Sequence, residues 1–316
     1  MFIGFDVSKE TIDLAYKETV NQWRSLKIEN QTDAFKNMIK SLPADSHCVM
    51  EATGPYYLQL AYFLHENGFK VSVINPLVIK RYSQMKMKRA KTDKADARII
   101  AEYAQDQQPE LWIPSEHEIH RIQQLNSMME NMIKQRAAWK NKKEAQKKDP
   151  NGDDFAQKMI DDTLAYFDEK IQELEDELER TVNSHFAQEN ASLRSIPGIG
   201  PKTATVLISI TGGFKNFDTY KHLISYVGLA PRIYESGKSI RGKARICKMG
   251  MSRIRQLLYM CAWSAKSNNL ACKNLFERLI AKGKPIKLAL IAVANKLLRQ
   301  AFTLVKKKAY YNPSFA

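Results

Sequence analysis

MFIGFDVSKETIDLAYKETVNQWRSLKIE, residues 1–29, alternates apolar and polar positions through three short runs. MFIGFDVS, TIDLAYKE and QWRSLKIE read as three successive strands, the first two joined by a tight turn near Lys9–Glu10. Outward from them, Asn30 to Lys40 reads as a helix capped by Asn30 or Thr32. HCVMEA (47–52) is a short apolar strand, GPYYLQLAYFLHENG (54–68) a helix closed by Gly68, and FKVSVINP (69–76) a strand ended by Pro76. An amphipathic helix opens in KTDKADA (91–97). Three strands followed by alternating helices and strands imply a mixed sheet with helices packed on it. That order is the ribonuclease-H-like one, and it fits other α/β folds as well.

Four carboxylates occupy places that folding does not ask for. Asp6 and Glu51 end apolar strands, and Asp93 and Asp96 open the helix, one turn apart on one face. A carboxylate at a strand end costs stability unless it is solvated, paired or bound to a cation. Taken singly, each is a cap or turn residue; Asp93 after Thr92 is expected at a helix start on dipole grounds alone. Taken together, acids converging from distant parts of the chain point to a magnesium site for phosphoryl chemistry. There, two ions about 3.5–4 Å apart can stabilise attacking and leaving oxygens.

The 316 residues suffice for two domains and a helical spacer, and net charge +15 invites a polyanionic partner. The charge is split: residues 191–316 hold 23 Lys/Arg against 3 Asp/Glu, whereas residues 1–190 hold 26 against 31. The C-terminal half is therefore the phosphate-binding part. The start MFIGFDVSK carries no charged leader or cleavage site, and no apolar run approaches a bilayer span. A cytoplasmic protein without membrane contact is expected. The four cysteines (Cys48, Cys247, Cys261, Cys272) match neither a zinc site nor a disulfide framework and read as buried, reduced thiols.

In the middle, Ile122, Leu125, Met129, Met132 and Trp139 keep helical spacing, interrupted by Arg136. After the turn signal DPNGDD (149–154), Ile160, Leu164, Phe167, Ile171, Leu174, Leu178 and Val182 continue the pattern. Two heptad-like helices joined by Pro-Asn-Gly should fold back as an antiparallel coiled-coil hairpin, serving either as a spacer or as an oligomerisation arm. Residues 192–316 read as mainly helical.

Within that half, IPGIGPKTATVL (196–207) resembles a helix-hairpin-helix element. Gly198 and Gly200 allow a tight turn whose amides can face a phosphate, Lys202 adds charge, and Thr203 or Thr205 can donate a hydrogen bond. A plain turn between helices is the competing reading. The segment 232–255 carries Arg232, Lys238, Arg241, Lys243, Arg245, Lys248, Arg253 and Arg255 with one acid, Glu235. Ser236 and Ser239 lie among these cations. Either the loop only grips phosphates, or one serine is a nucleophile whose developing charge the cations stabilise. A second basic cluster (80–94) holds Lys80, Arg81, Lys86, Lys88, Arg89 and Lys91, with Tyr82 as a stacking platform for a base; a solvated face is the alternative.

GFDVSK, EATGPYY, NPLVIKRYSQMKMKRAKTDKADARIIA, IPGIGPKTATVLIS and YVGLAPRIYESGKSIRGKARICKMGMSRIRQLL, in that order, resemble transposases of the IS one-ten (IS110) family and the related Piv-type DNA invertases. The resemblance covers nearly the whole chain. It implies a RuvC-like catalytic domain (1–110) and a transposase C-terminal domain (191–316) with the serine loop; with the helical coiled-coil hairpin (111–190) and the helix-hairpin-helix read from the residues, the expected class is α/β plus α. It implies an Asp-Glu-Asp-Asp site of Asp6, Glu51, Asp93 and Asp96 holding Mg2+, with Mn2+ as the alternative ion. It also implies a serine that attacks DNA, Ser236 by motif and Ser239 as fallback. Nucleic-acid contacts fall to Lys88, Arg89, Lys91, Gly198, Gly200, Lys202, Arg232, Lys238, Arg241, Lys243, Arg245 and Lys248. The implied partners are donor and target DNA, a non-coding guide RNA pairing with both, and further copies of the chain as a dimer or tetramer in which one subunit's serine completes another's acidic site. Two other readings compete with such a recombinase: a Holliday-junction-like nuclease using metal-activated water, and a non-catalytic nucleic-acid-binding protein.

Overall fold

A computed structural model describes residues 1–19, 22–43, 45–87, 92–232, 235–236, 240–241, 245–247 and 250–315. The chain divides into two compact units, Met1–Pro114 and Ser115–Ala316. In the first, β1 (Phe2–Val7), β2 (Thr11–Thr19) and β3 (Gln22–Glu29) precede α1 (Thr32–Ile39). Then come β4 (His47–Glu51), α2 (Tyr57–Glu66), β5 (Lys70–Ile74), α3 (Pro76–Met85) and α4 (Asp93–Gln107). The sheet order is β3-β2-β1-β4-β5. β1 pairs antiparallel with β2, and β2 with β3, whereas β1–β4 and β4–β5 are parallel. This agrees with the ribonuclease-H-like order expected from the strand pattern.

The period-two alternation of the strands sends side chains to two faces. Ile3, Phe5, Ile12, Leu14, Cys48 and Met50 pack with Phe35, Leu60 and Leu64 of α1 and α2. Val49 and Ile74 pack on the other face with Ile79, Tyr82, Ile99, Ile100 and Ala104 of α3 and α4. Helix α3 was missed from sequence: Pro76 does not merely end β5 but opens a helix, with the Asn75 side chain accepting from the Leu77 amide at 2.9 Å. The expected caps of α1 are also corrected. Its N-cap is Gln31, while the Asn30 side chain donates to the carbonyls of Ser8 and Tyr56. Tyr82 is buried and donates to Asp106 Oδ2 at 2.5 Å, beside Lys86 at 2.9 Å, so it is no stacking platform.

The second unit opens with α5 (His117–Gln146) and α6 (Asp154–His185). Arg121 pairs with Glu177, Arg136 with Asp168 and Lys143 with Asp161, so the two helices run antiparallel. Arg136, which breaks the apolar stripe of α5, is thus one of the rungs. α7 (Ala187–Arg194), α8 (Pro201–Thr211) and α9 (Tyr220–Val227) follow. Four two-residue strands come next: β6 (Pro231–Arg232), β7 (Glu235–Ser236), β8 (Ile240–Arg241) and β9 (Arg245–Ile246). The chain closes with α10 (Ser252–Asn268), α11 (Leu270–Ala281) and α12 (Ile286–Lys306). One apolar core joins Ile122, Met129, Phe167 and Ile171 of the long helices to Leu207, Leu258, Val293 and Leu297 of the later ones.

Two expectations for this unit change. α12 is long and apolar enough to cross a bilayer by length and composition, contrary to the sequence reading. Its residues Leu290, Val293, Ala294, Leu297, Leu298 and Ala301 are nonetheless buried against protein, as in the core helix of a bundle. The basic loop contains paired strands, β6 with β9 and β7 with β8, which at two residues each are too short to show periodicity. The cysteines form no disulfide, and burial pushes the Cys48 and Cys272 thiols up to about 12.

Of the glycines in the first unit, Gly4 lies tightest against other backbone. A Cβ there would strike the Ala97 carbonyl and the Ala101 amide of α4. Gly4→Ala is therefore expected to push α4 off the sheet and cost about 1–3 kcal/mol, read as a lower urea midpoint; an unchanged midpoint contradicts this packing.

Candidate active site

The acids assemble through strand register. Asp6 lies directly opposite Asp13, and Asp13 opposite Lys27. Continuing the parallel β1–β4 register one residue beyond Phe5↔Met50 sets Glu51 beside Asp6. Residues directly opposite share a face, so Glu51, Asp6, Asp13 and Lys27 form a row across four strands. This is also the face of Gly4 and Val49, on which α4 packs. Asp93 and Asp96 stand in the first turn of α4, whose N-cap Thr92 accepts from the Ala95 amide at 3.2 Å. Thr53 Oγ1 donates to Glu51 Oε1 at 3.1 Å.

Asp6 feels the charges around it. The Asp6 carboxyl is pushed up from 3.8 to about 6, first by burial and then by the negative charges of Asp96, Asp93, Glu51 and Asp13. The structure thus brings Glu51, Asp93 and Asp96 within electrostatic reach of Asp6. Among the described residues, however, no three His, Cys, Asp or Glu side chains are grouped closely enough to hold one ion. The donor set itself fits a hard divalent cation, being oxygen-only and carrying negative charge that raises Asp6's proton affinity. Sequence reasoning missed Asp13 and Lys27. Their only signal was the hairpin register, which sets them opposite Asp6 once the turns are placed.

The predicted phosphate-binding residues divide. Gly198 adopts φ +105°, and a Cβ there would meet Ala265 and the Cys261 carbonyl of α10, so this glycine serves packing. Gly200 is the N-cap of α8, with open space where a Cβ would stand. Lys202 is half-buried, and its ammonium is held below the usual lysine range by burial and by Arg253. It lines a cavity of about 190 Å3 with Asn126, Glu175, Glu179 and Arg194. Thr203 is buried with its hydroxyl 3.2 Å from Cys261 Sγ, so it is not presented to a phosphate.

Arg253 pairs with Glu130 at 3.1 Å, and Arg255 donates to the Val227 carbonyl at the end of α9, giving both structural work. Arg232 and Arg245 are exposed and directly opposite across β6 and β9. Ser236 and Arg241 lie on the β7–β8 pairing, Ser236 opposite Ile240. Ser239, Lys88, Arg89, Lys91, Lys238, Lys243 and Lys248 fall outside the described residues.

Comparison with known proteins covers both units. Residues 3–146 match the DEDD transposase family of the IS110 kind, described as Transposase, and residues 190–277 match the Transposase IS116/IS110/IS902 family. The chain is similar to the pilin gene-inverting protein of Moraxella lacunata, 30% identical over 315 residues that span 97% of this chain and 96% of that protein. The Moraxella bovis counterpart is 29% identical over the same shares. A probable family 20 transposase of Pseudomonas aeruginosa is 24% identical over 98% of both chains.

The raised Asp6 pKa fixes a pH dependence. Its folded value of about 6 exceeds the ordinary 3.8, so its contribution to stability is full below about pH 4 and lost as pH rises through 6. Asp6→Asn, which mimics the protonated group, is expected to raise the melting temperature in EDTA at pH 7.5 by about 2–4 °C, because solvent screens the partly exposed carboxylate. At pH 4 it should leave the melting temperature unchanged. Equal effects at both pH values would contradict the assignment.

Proposed function

This chain belongs to the IS110 family of transposases, and we propose that it cuts and rejoins DNA strands with the acidic row as a metal-binding group and Ser236 as nucleophile. The observation that carries this reading is the raised proton affinity of Asp6 under the charges of Glu51, Asp93 and Asp96. Such a quartet is unfavourable without a cation and suited to one. Asp6, Glu51, Asp93 and Asp96 would hold magnesium, which would supply positive charge to the scissile phosphate and its leaving oxygen.

Ser236 Oγ gives up its proton and bonds to phosphorus, and the bridging sugar oxygen departs with a proton. Attack of another strand's hydroxyl end on that phosphoserine ester reverses the exchange, joins the new strand and frees the serine. Ser239 is the fallback nucleophile. Arg232 and Arg245 support the DNA-binding part: like charges directly opposite in a strand pair are destabilising unless an anion lies between them. The strongly basic C-terminal half grips backbone phosphates. The 195–200 turn and the start of α8 serve as a helix-hairpin-helix element through the Gly200 end.

Phosphate contacts position DNA without reading its sequence; a non-coding guide RNA pairing with donor and target supplies that choice. The long α5–α6 hairpin serves as a coiled-coil arm in a homo-oligomer, where the serine of one subunit meets the acids of another.

Incubation with donor and target DNA and Mg2+, followed by denaturing electrophoresis, tests the chemistry. Wild-type protein should give recombined product and a covalent protein–DNA adduct. Glu51→Ala and Ser236→Ala should each lower product about a hundredfold or more, and Ser236→Ala should remove the adduct. Persistence of the adduct in Ser236→Ala moves the nucleophile to Ser239. Undiminished product from Glu51→Ala overturns the metal site, and cleavage without any adduct favours a metal-activated water.

A further inference from the structure

Asp13 and Lys27 belong to no motif, yet both stand in the acidic row. Register sets Asp13 opposite Asp6 and Lys27 opposite Asp13. Lys27 Nζ lies 3.3 Å from Asp13 Oδ2 and 3.9 Å from Asp93 Oδ2. One ammonium thus touches both halves of the site, the sheet through Asp13 and the first turn of α4 through Asp93. The two contacts differ in setting: the Asp13 side chain is 14% exposed and that of Asp93 is 70% exposed. The nearer, more buried pair is screened less by water and salt than the outer one. Asp13 also adds to the negative field at Asp6.

We propose that Lys27, held by Asp13, is a positioning residue for Asp93: its ammonium draws Asp93 toward the sheet while the acids hold no divalent cation, and releases Asp93 when one binds. The inference rests on the metal-site reading above. A lysine suits this work because its charge is compact and its four-carbon stem flexible, so it retreats from Asp93 without leaving Asp13. The acids would otherwise repel one another. With Lys27 in place, Asp93 stays near the row, and the exposed contact that keeps it there is weak enough for a divalent ion to displace.

The pair predicts opposite signs for its two halves. Lys27→Met removes the competitor, so Mg2+ should bind about two- to fivefold tighter, the range set by an exposed ion pair. Asp13→Asn removes a nearby negative charge and frees the ammonium to sit on Asp93, so Mg2+ should bind about two- to fivefold more weakly. Lys27→Arg should restore the wild-type value, and Lys36→Met, on α1 beside Asp33, should not move it. A pair that only ties the hairpin together would shift both variants in the same direction.

The experiment combines calorimetric Mg2+ titration of the full chain with thermal unfolding in EDTA of Lys27→Met, Asp93→Asn and the double variant. The metal-free cycle should show a coupling of about 1–2 °C between Lys27 and Asp93. Opposite affinity shifts together with that coupling support the proposal. Shifts of the same sign, no shift in Lys27→Met, or zero coupling overturn it. If wild-type protein shows no saturable Mg2+ binding, the metal-site reading falls and takes the release step with it, while the metal-free cycle still decides the tether.

Discussion

The contact between α4 and β1 at Gly4 sets the geometry on which the acidic row depends. A helix lying on a sheet normally stands off by the length of the side chains between them. Here the Ala97 carbonyl and the Ala101 amide come where a Cβ at position 4 would be, so the helix sits directly on the strand backbone. Asp93 and Asp96, in the first turn of that helix, are thereby carried over the strand that ends in Asp6. Ile99, Ile100 and Ala104, buried with Val49 and Ile74, hold the helix down from its other end.

The arrangement sets packing against electrostatics. Burial and four neighbouring carboxylates together disfavour the ionised Asp6. Some of the cost is offset locally, because the N-terminus of α4 carries partial positive charge where Asp93 and Asp96 stand. Lys27 offsets more, pairing with Asp13 and Asp93. What remains is a site that folds under strain of charge and is suited to a cation. The second unit has the opposite imbalance. Its surplus of basic residues includes Arg232 and Arg245, set face to face on a pair of two-residue strands.

Much of the first unit was legible because its information is local. Three strands announced themselves by alternation, and Asp6, Glu51, Asp93 and Asp96 stood out as charges at the ends of apolar or amphipathic runs. What escaped was set by partners remote in sequence. Asp13 and Lys27 look like ordinary outward strand residues until register lines them up with Asp6. Tyr82 reads as an aromatic among cations, and only its bond to Asp106, 24 positions on, shows it as a helix–helix clasp. Thr203 and Arg253 lie in basic segments that invite phosphate, yet each is engaged by a distant residue, Cys261 and Glu130. Helix α3 was hidden for a different reason: Asn75-Pro76 carries both a strand-ending and a helix-opening signal, and only the second was local to the side-chain cap.

The central claim is that the row of acids beneath α4 is a divalent-cation site. Anomalous diffraction from crystals grown with Mn2+ measures it most directly. The account predicts a peak bounded by Asp6, Glu51 and Asp93, with the Asp93 carboxylate moved away from Lys27. Absence of a peak there at saturating Mn2+, with Asp93 still beside Lys27, would contradict it.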